Sequence, residues 1–135
     1  MEKDCIFCKI IKGEIPSYKI YEDKKVFAFL DINPINSGHT LIVPKKHFKN
    51  IFDLEEEIAK HMICVAKKIS LALKKIGADG VIISMNNGEA AGQAVLHVHI
   101  HIIPRFEGDG LTSWPTKKMG EKELKEITNK IILAL

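Results

Sequence analysis

The stretch Val95-Leu96-His97-Val98-His99-Ile100-His101-Ile102-Ile103-Pro104 decides how this chain is to be read. Three histidines alternate with β-branched or apolar residues. In an extended backbone successive side chains point to opposite faces, so His97, His99 and His101 share one face and Val98, Ile100 and Ile102 the other. A helix would scatter three residues spaced two apart around its surface. The β-branched neighbours and the closing Pro104 also favour a strand. At about 3.3 Å per residue, His97 and His101 lie about 13 Å apart along such a strand. Metal–nitrogen bonds are only about 2 Å, so one ion cannot hold all three. The three imidazoles must divide their work.

Working outward, the segment before the strand is Asn86-Asn87-Gly88-Glu89-Ala90-Ala91-Gly92-Gln93-Ala94. Its small residues let backbone amides approach a ligand closely, and amides beside imidazoles suit a phosphate. A neutral imidazole is a competent nucleophile toward phosphorus near pH 7. One ring nitrogen must be held so that the other presents its lone pair, and further donors must stabilise charge on the phosphate oxygens. His99, flanked on both sides, is the best placed for attack. At the amino end, Cys5-Ile6-Phe7-Cys8 has the gap that lets two sulfurs grip one metal. A redox pair or two small buried residues are the alternatives. As metal ligands the cysteines need two more donors, for which His47 and His97 are candidates, and a Cys₂His₂ set would be structural zinc.

Tyr18–Glu22 and Val26–Leu30 read as two strands, His39–Val43 as a third and Val81–Met85 as a fourth, with the histidine run as the fifth. Cys5 to Lys12 reads as a short helical turn. The clearest helix runs from about Leu54 to Ile76, with Asp53 as N-cap and Glu56 completing a capping box. Its stripe is Leu54, Ile58, Met62, Val65, Ile69, Ala72 and Ile76. His61 falls at the edge of that stripe with no expected chemistry. A last helix covers about Lys122 to Leu135. The expected fold class is α+β: one domain over residues 1–135, with a five-stranded, mainly antiparallel sheet, one long helix after the third strand and a C-terminal helix.

The chain has 135 residues, 46% of them hydrophobic and 27% charged, within the range of a globular domain. No apolar run approaches a membrane span, and the first residues lack the pattern of a signal peptide, so a cytoplasmic protein with reduced cysteines and no membrane partner is expected. The net charge of +3 is mild and only 7% of residues are aromatic, so a nucleic-acid partner is not expected. Two of the lysine pairs, Lys67-Lys68 and Lys74-Lys75, fall on the polar side of the long helix.

His97-Val98-His99-Ile100-His101-Ile102-Ile103 resembles the histidine triad signature, His-φ-His-φ-His-φ-φ. Four further blocks resemble the Hint-like branch of that family in the same order. They are Ile6-Phe7-Cys8-Lys9-Ile10-Ile11 with Gly13-Glu14-Ile15-Pro16, Phe27-Ala28-Phe29-Leu30-Asp31-Ile32-Asn33-Pro34, Gly38-His39-Thr40-Leu41-Ile42-Val43-Pro44-Lys45-Lys46-His47, and Gly92-Gln93. The resemblance implies a homodimer whose sheets join into one. It implies hydrolysis or transfer of nucleotidyl groups from purine nucleotides through a nucleotidyl-histidine, with nucleoside phosphoramidates or, alternatively, dinucleoside polyphosphates as substrates. A binding module with little turnover is the remaining alternative.

By matching positions, the resemblance makes His99 the nucleophile and places His101 and His39 at the phosphate or the leaving group. Asn86, Gln93 and the amides around Ala94 would hold phosphate oxygens. Asp31 would accept the ribose hydroxyls, and Ile6, Phe7, Leu30 and Ile32 would wall the base pocket. Cys5, Cys8, His47 and His97 resemble a structural zinc set found in the family, with no catalytic metal. Many Hint members carry serine where this chain has Ala94. Trp114-Pro115 resembles a pair that caps the partner subunit's site, a few residues farther along.

Overall fold

The computed structural model describes residues 2–135. The elements are α1 (Ile6–Ile11), β1 (Lys19–Glu22), β2 (Val26–Leu30), β3 (Thr40–Pro44), α2 (Glu56–Lys75), β4 (Gly80–Ser84), β5 (Ile100–Arg105) and α3 (Glu121–Ala134). The strands form one sheet in the order β1-β2-β3-β5-β4, antiparallel at every pairing. The expected α+β class and its sheet are therefore present.

Alternation along β2 and β3 builds two apolar layers. Val26, Ala28 and Ile42 face α2, where Met62, Val65, Ala66, Ile69 and Leu73 meet them with Ile100 and Ile102 of β5. Phe27, Phe29, Leu41 and Val43 face the other way and pack against Phe7 and Ile10 of α1. Strands covered on both faces are apolar throughout, as Val26-Phe27-Ala28-Phe29-Leu30 is. Gly38 sits at φ +93° ahead of β3, and a Cβ there would meet Leu73 Cδ2 at 3.1 Å and Pro104 Cγ at 3.2 Å. Glycine at this position lets the chain enter β3 tight against α2.

The histidine strand is shorter than its sequence pattern. β5 begins at Ile100, so of the triad only His101 belongs to it, while His97 lies in a bend and His99 in the segment leading into the strand. The ladder with β3 stops at Ile42↔Ile100. Beyond that pair the Val98 N–H turns to the Phe48 carbonyl at 2.8 Å, and the His97 ring bonds the Pro44 carbonyl at 2.8 Å. One backbone bond outside the ladder and one side-chain bond take the place of ladder bonds there.

The long helix starts at Glu56, later than its pattern suggested, and Asp53 is not its cap. The Asp53 carboxylate closes the preceding turn instead, accepting the N–H groups of Lys49 and Asn50 at 3.0 Å each. Toward its C-terminus the buried stripe runs through Leu73 rather than Ala72, and Ile76 is exposed beyond the last turn. His61 is engaged: its Nε2 lies 2.6 Å from Asp23 Oδ2, tying α2 to the turn between β1 and β2. α3 forms as expected, but none of its residues is buried by the chain.

Candidate functional site

The hydrogen bonds of four histidines fix where each neutral ring carries its proton. A carbonyl can only accept, so His97 Nε2 donates to Pro44 O and His99 Nδ1 donates to His97 O at 2.7 Å. The lone pairs then sit on His97 Nδ1 and on His99 Nε2. The Ile35 N–H donates to His39 Nδ1 at 3.1 Å, which leaves the His39 proton on Nε2. That atom lies 2.9 Å from His101 Nδ1 and donates to it, so the His101 proton is on Nε2. Adjacent rings thus present complementary atoms: a bare nitrogen on His99 and an N–H on His101, with ring centroids 4.9 Å apart.

Burial supports these neutral states. It holds His99 and His39 below the ordinary imidazole value, and it takes His101 down to about 4 with help from the charges His99 and His39 would carry. The Asp31 carboxylate opposes the shift in all three but does not overcome it. Phe7 stands edge-on to both His97 and His99, with centroids 5.9 and 5.0 Å away.

His99 and His101 open onto a cavity of about 430 Å³. Ile6, Phe7, Leu30 and Ile32 wall it, and Asp31, Ala94 and Val95 line it with them. Ile10, Phe29 and Leu41 also line it. Asp31 Oδ1 accepts the Asn33 N–H at 2.9 Å, and Oδ2 lies 3.7 Å from His39 Nε2.

Two further residues expected at the phosphate, Gln93 and Asn86, are held within the loops around the histidines. Gln93 is buried, and its amide braces the loop: Nε2 donates to Lys49 O and Val95 O at 2.6 and 3.0 Å, and Oε1 accepts the Gly88 N–H at 2.9 Å. Asn86 lines a neighbouring cavity that His101 also borders, and its Nδ2 donates to the Gly92 carbonyl at 3.5 Å. The Ile35 N–H that sets the His39 tautomer has no signal in the sequence, because any residue but proline supplies it.

Cys5, Cys8, His47 and His97 converge, with all four potential ligand atoms within 4.8 Å of one another. Cys5 Sγ and Cys8 Sγ lie 3.3 and 3.5 Å from His97 Nδ1, Cys8 Sγ is 3.5 Å from His47 Nδ1, and the two Nδ1 atoms are 3.1 Å apart. A tetrahedron with zinc bond lengths has S···N edges of about 3.6 Å and N···N edges of about 3.3 Å. The donor set fits a zinc ion, and the Pro44 carbonyl holds the His97 ring with its lone pair inward. Asp31, His39 and His101 form a second cluster. Its proton arrangement suits it less for a metal, since His39 Nε2 carries the hydrogen that His101 accepts.

Residues 12–108 match the family model described as the HIT domain. An uncharacterized HIT-like protein of Methanocaldococcus jannaschii is 58% identical over 106 residues, spanning 78% of this chain and 82% of that protein. An adenosine 5'-monophosphoramidase of Saccharomyces cerevisiae is 40% identical over 137 residues, covering 100% of this chain and 85% of its own length. Among solved structures, a HIT family protein from Bacillus anthracis superposes with a TM-score of 0.89 at 42% identity, over 100% of this chain and 99% of that one. A zinc-bound histidine triad family protein from Mycobacterium smegmatis does so with a TM-score of 0.79 at 35% identity, over 98% of each chain. An open antiparallel sheet with a histidine cluster at one cavity is the architecture of a histidine triad protein. This chain belongs to the HIT family, in which the yeast relative is named an adenosine 5'-monophosphoramidase.

Proposed function

We propose that the protein hydrolyses purine nucleoside phosphoramidates, or transfers their nucleotidyl group, through a covalent bond to His99 Nε2. The observation that carries this reading is the His99 tautomer. Its Nδ1–H is held by the His97 carbonyl, so a bare nitrogen is presented at a cavity with an N–H donor, His101, beside it. The yeast relative named for adenosine 5'-monophosphoramidase activity supports the substrate class.

Asp31 takes the ribose hydroxyls, and Ile6, Phe7, Leu30 and Ile32 enclose the base. The Ala94 backbone and His101 hold the phosphate oxygens, with His39 orienting His101. Attack by the His99 lone pair forms a nitrogen–phosphorus bond and breaks the bond to the leaving amine. The amine departs with a proton from water in the open cleft, and the positive charge rests on the His99 ring. Water then adds to phosphorus, neutral His99 leaves, and the proton returns to solvent. Asn86 remains available to an oxygen on the β4 side, while Gln93 acts through the loop it braces.

Cys5, Cys8, His47 and His97 hold a structural zinc, which joins α1, the segment after β3 and the head of the triad. All four positions are protein ligands, so the ion serves the scaffold rather than the chemistry. A homodimer is supported by two exposed features. β4 is an edge strand in the sheet order, and the α3 stripe of Leu124, Ile127 and Ile131 is not covered by its own chain. No described helix is long and apolar enough to cross a membrane.

The test is to mix the protein with adenosine phosphoramidate, quench, and weigh it. An added nucleotidyl mass on wild type, absent from His99→Ala, is expected. Steady turnover by His99→Ala at the wild-type rate would reject the mechanism. Running diadenosine tetraphosphate in parallel separates phosphoramidates from polyphosphates, the alternative that Ala94 leaves open by offering no hydroxyl to a leaving nitrogen.

A further inference from the structure

Residues 32–37 form the loop that carries the Ile35 N–H, and their own packing does little to hold it. Ile32 and Ile35 are 76% and 53% exposed, and Asn33, Pro34 and Ser37 are exposed as well. Pro34 has no N–H to give. Among these residues only Asn36 is half-buried. Its side chain reaches the far end of β5, where Nδ2 donates to Pro104 O at 2.9 Å and to Asp109 Oδ2 at 3.1 Å. A carbonyl and a carboxylate only accept, so the two partners use both amide hydrogens and fix which way the amide points. The Asn36 carbonyl in turn accepts the His39 N–H at 3.1 Å, and one residue earlier the Ile35 N–H meets His39 Nδ1 at 3.1 Å. Both the backbone and the ring of His39 are therefore set by the pair of residues that this amide anchors.

Asp109 is built as a fixed acceptor, with a side chain only 8% exposed. Besides Asn36, its Oδ2 takes Arg105 Nε at 2.7 Å and the Phe106 N–H at 3.1 Å. Its Oδ1 takes Arg105 Nη2 at 2.8 Å and the Leu111 N–H at 3.1 Å. The Arg105 guanidinium first, then the Leu111 and Phe106 N–H groups, hold its carboxyl well below the usual carboxylate range, and Asn36 adds to them. Asp109 thus stays an anion, with lone pairs toward Asn36, wherever the histidines are neutral.

We propose that Asn36 and Asp109 are positioning residues: the Asp109 carboxylate and the Pro104 carbonyl clamp the Asn36 amide, and the clamp holds the loop where the Ile35 N–H meets His39 Nδ1. The inference rests on the reading of His39 and His101 as the pair that serves the phosphate beside His99. Without the clamp His39 Nδ1 loses its donor. Either His39 nitrogen then carries the proton, and His101 Nδ1 no longer receives a hydrogen in every molecule.

The test uses the intact protein with nitrogen-labelled histidine. Asn36→Ala removes the amide, and Asn36→Leu removes both donors while keeping the volume. In each, NMR should show His39 changing from the pure Nε2–H form to a mixture. Turnover of adenosine phosphoramidate should lose about tenfold in kcat with KM little changed, inside the roughly 10²-fold cost of a group displaced by about an ångström. Asp109→Ala should give the same mixture, and its combination with Asn36→Ala no more, because each change removes the same clamp. Arg105→Met loosens the turn after β5 but leaves both partners of Asn36 in place, so its His39 signals should match wild type. A pure Nε2–H His39 in the Asn36 variants or in Asp109→Ala, or an equal mixture in Arg105→Met, would overturn the clamp. The NMR readout needs no substrate, which keeps the two levels apart. A changed tautomer with no nucleotidyl adduct on wild type rejects the nucleophile and supports the clamp, while an adduct with an unchanged tautomer in the variants rejects only the clamp.

Discussion

His39 Nε2 lies 2.9 Å from His101 Nδ1, and the Ile35 N–H points at the far nitrogen of the same His39 ring. Two donors in series push the His101 proton outward to Nε2. They also make a second proton on the pair costly, since each inner lone pair already faces a hydrogen. His39 is therefore a positioning residue that fixes what His101 presents. His39→Ala should lower kcat by about 10²-fold, the low end for loss of a positioned hydrogen-bond donor to the reacting phosphate, with KM little changed. Nitrogen NMR of labelled histidine reports the state directly. In wild type His101 should be the Nε2–H tautomer, and in the variant it should become a mixture. A pure Nδ1–H form in wild type would remove the relay.

The acid limb of the rate profile follows from the same burial. His99 must be neutral to attack, and the His39–His101 pair works in its neutral form. Burial holds His99 and His39 below the ordinary imidazole range and brings His101 to about 4. A depressed value keeps the neutral form dominant at lower pH, so activity is retained through pH 6.5 and lost only as pH falls through the lowered values. kcat/KM for a phosphoramidate should be level from pH 8 down through the ordinary imidazole value and fall only below it. An acid limb centred at 6.5 or higher would contradict the neutral, buried pair.

Side-chain identity made part of this site legible in advance. The alternating spacing implied that His97, His99 and His101 divide their work, and they do although β5 starts only at Ile100: His97 joins the cysteines, while His99 and His101 line the cavity. The gap between Cys5 and Cys8 made a metal grip one reading of the pair, and the structure brings the candidate partners His47 and His97 within reach of both sulfurs. What stayed hidden depends on backbone groups and on loop paths. The Lys49 and Val95 carbonyls take up the donors of the Gln93 amide, a pairing that depends on the loop path. The Asp53 carboxylate had a helix pattern in front of it and closed the turn behind it. A backbone N–H such as that of Ile35 is present at nearly every residue, so only the fold shows which one matters.

His61 shows the same limit from the other side. Asp23 gathers His61 Nε2 at 2.6 Å, the Tyr21 hydroxyl at 2.8 Å, and the N–H groups of Lys25 and Val26 at 2.8 and 2.9 Å. Burial pushes the Asp23 carboxyl up, but the hydrogen bonds from His61, the two backbone N–H groups and Tyr21 hold it well below the usual carboxylate range. Its folded value is depressed, so its contribution is present above the ordinary carboxylate value and is lost as pH falls through the folded one. Asp23→Ala should cost about 2–3 kcal/mol at pH 7, and His61→Ala about 1–2 kcal/mol. Urea unfolding measures both, and phosphoramidate turnover should be unchanged. A loss of activity without a loss of stability would place this cluster in the chemistry.

The metal prediction joins the two ends of the triad. His97 donates to Pro44 through Nε2 and turns Nδ1 toward Cys5, Cys8 and His47, while its own carbonyl holds His99. An ion bound at His97 therefore steadies the acceptor that sets the nucleophile's tautomer. Purified protein should carry about one zinc per chain, a Cys₂His₂ site being filled by a single ion. Free zinc at 100 times its dissociation constant would add about 2.7 kcal/mol of stability, so stripping it with a chelator should lower Tm by about 10 °C. Cys8→Ser should reproduce that loss and abolish zinc retention. Turnover should fall less than in His99→Ala, because the nucleophile survives with a looser hold. Metal-free protein of undiminished Tm would show that the four side chains pack without an ion, and the coupling from zinc to His99 would fall with it.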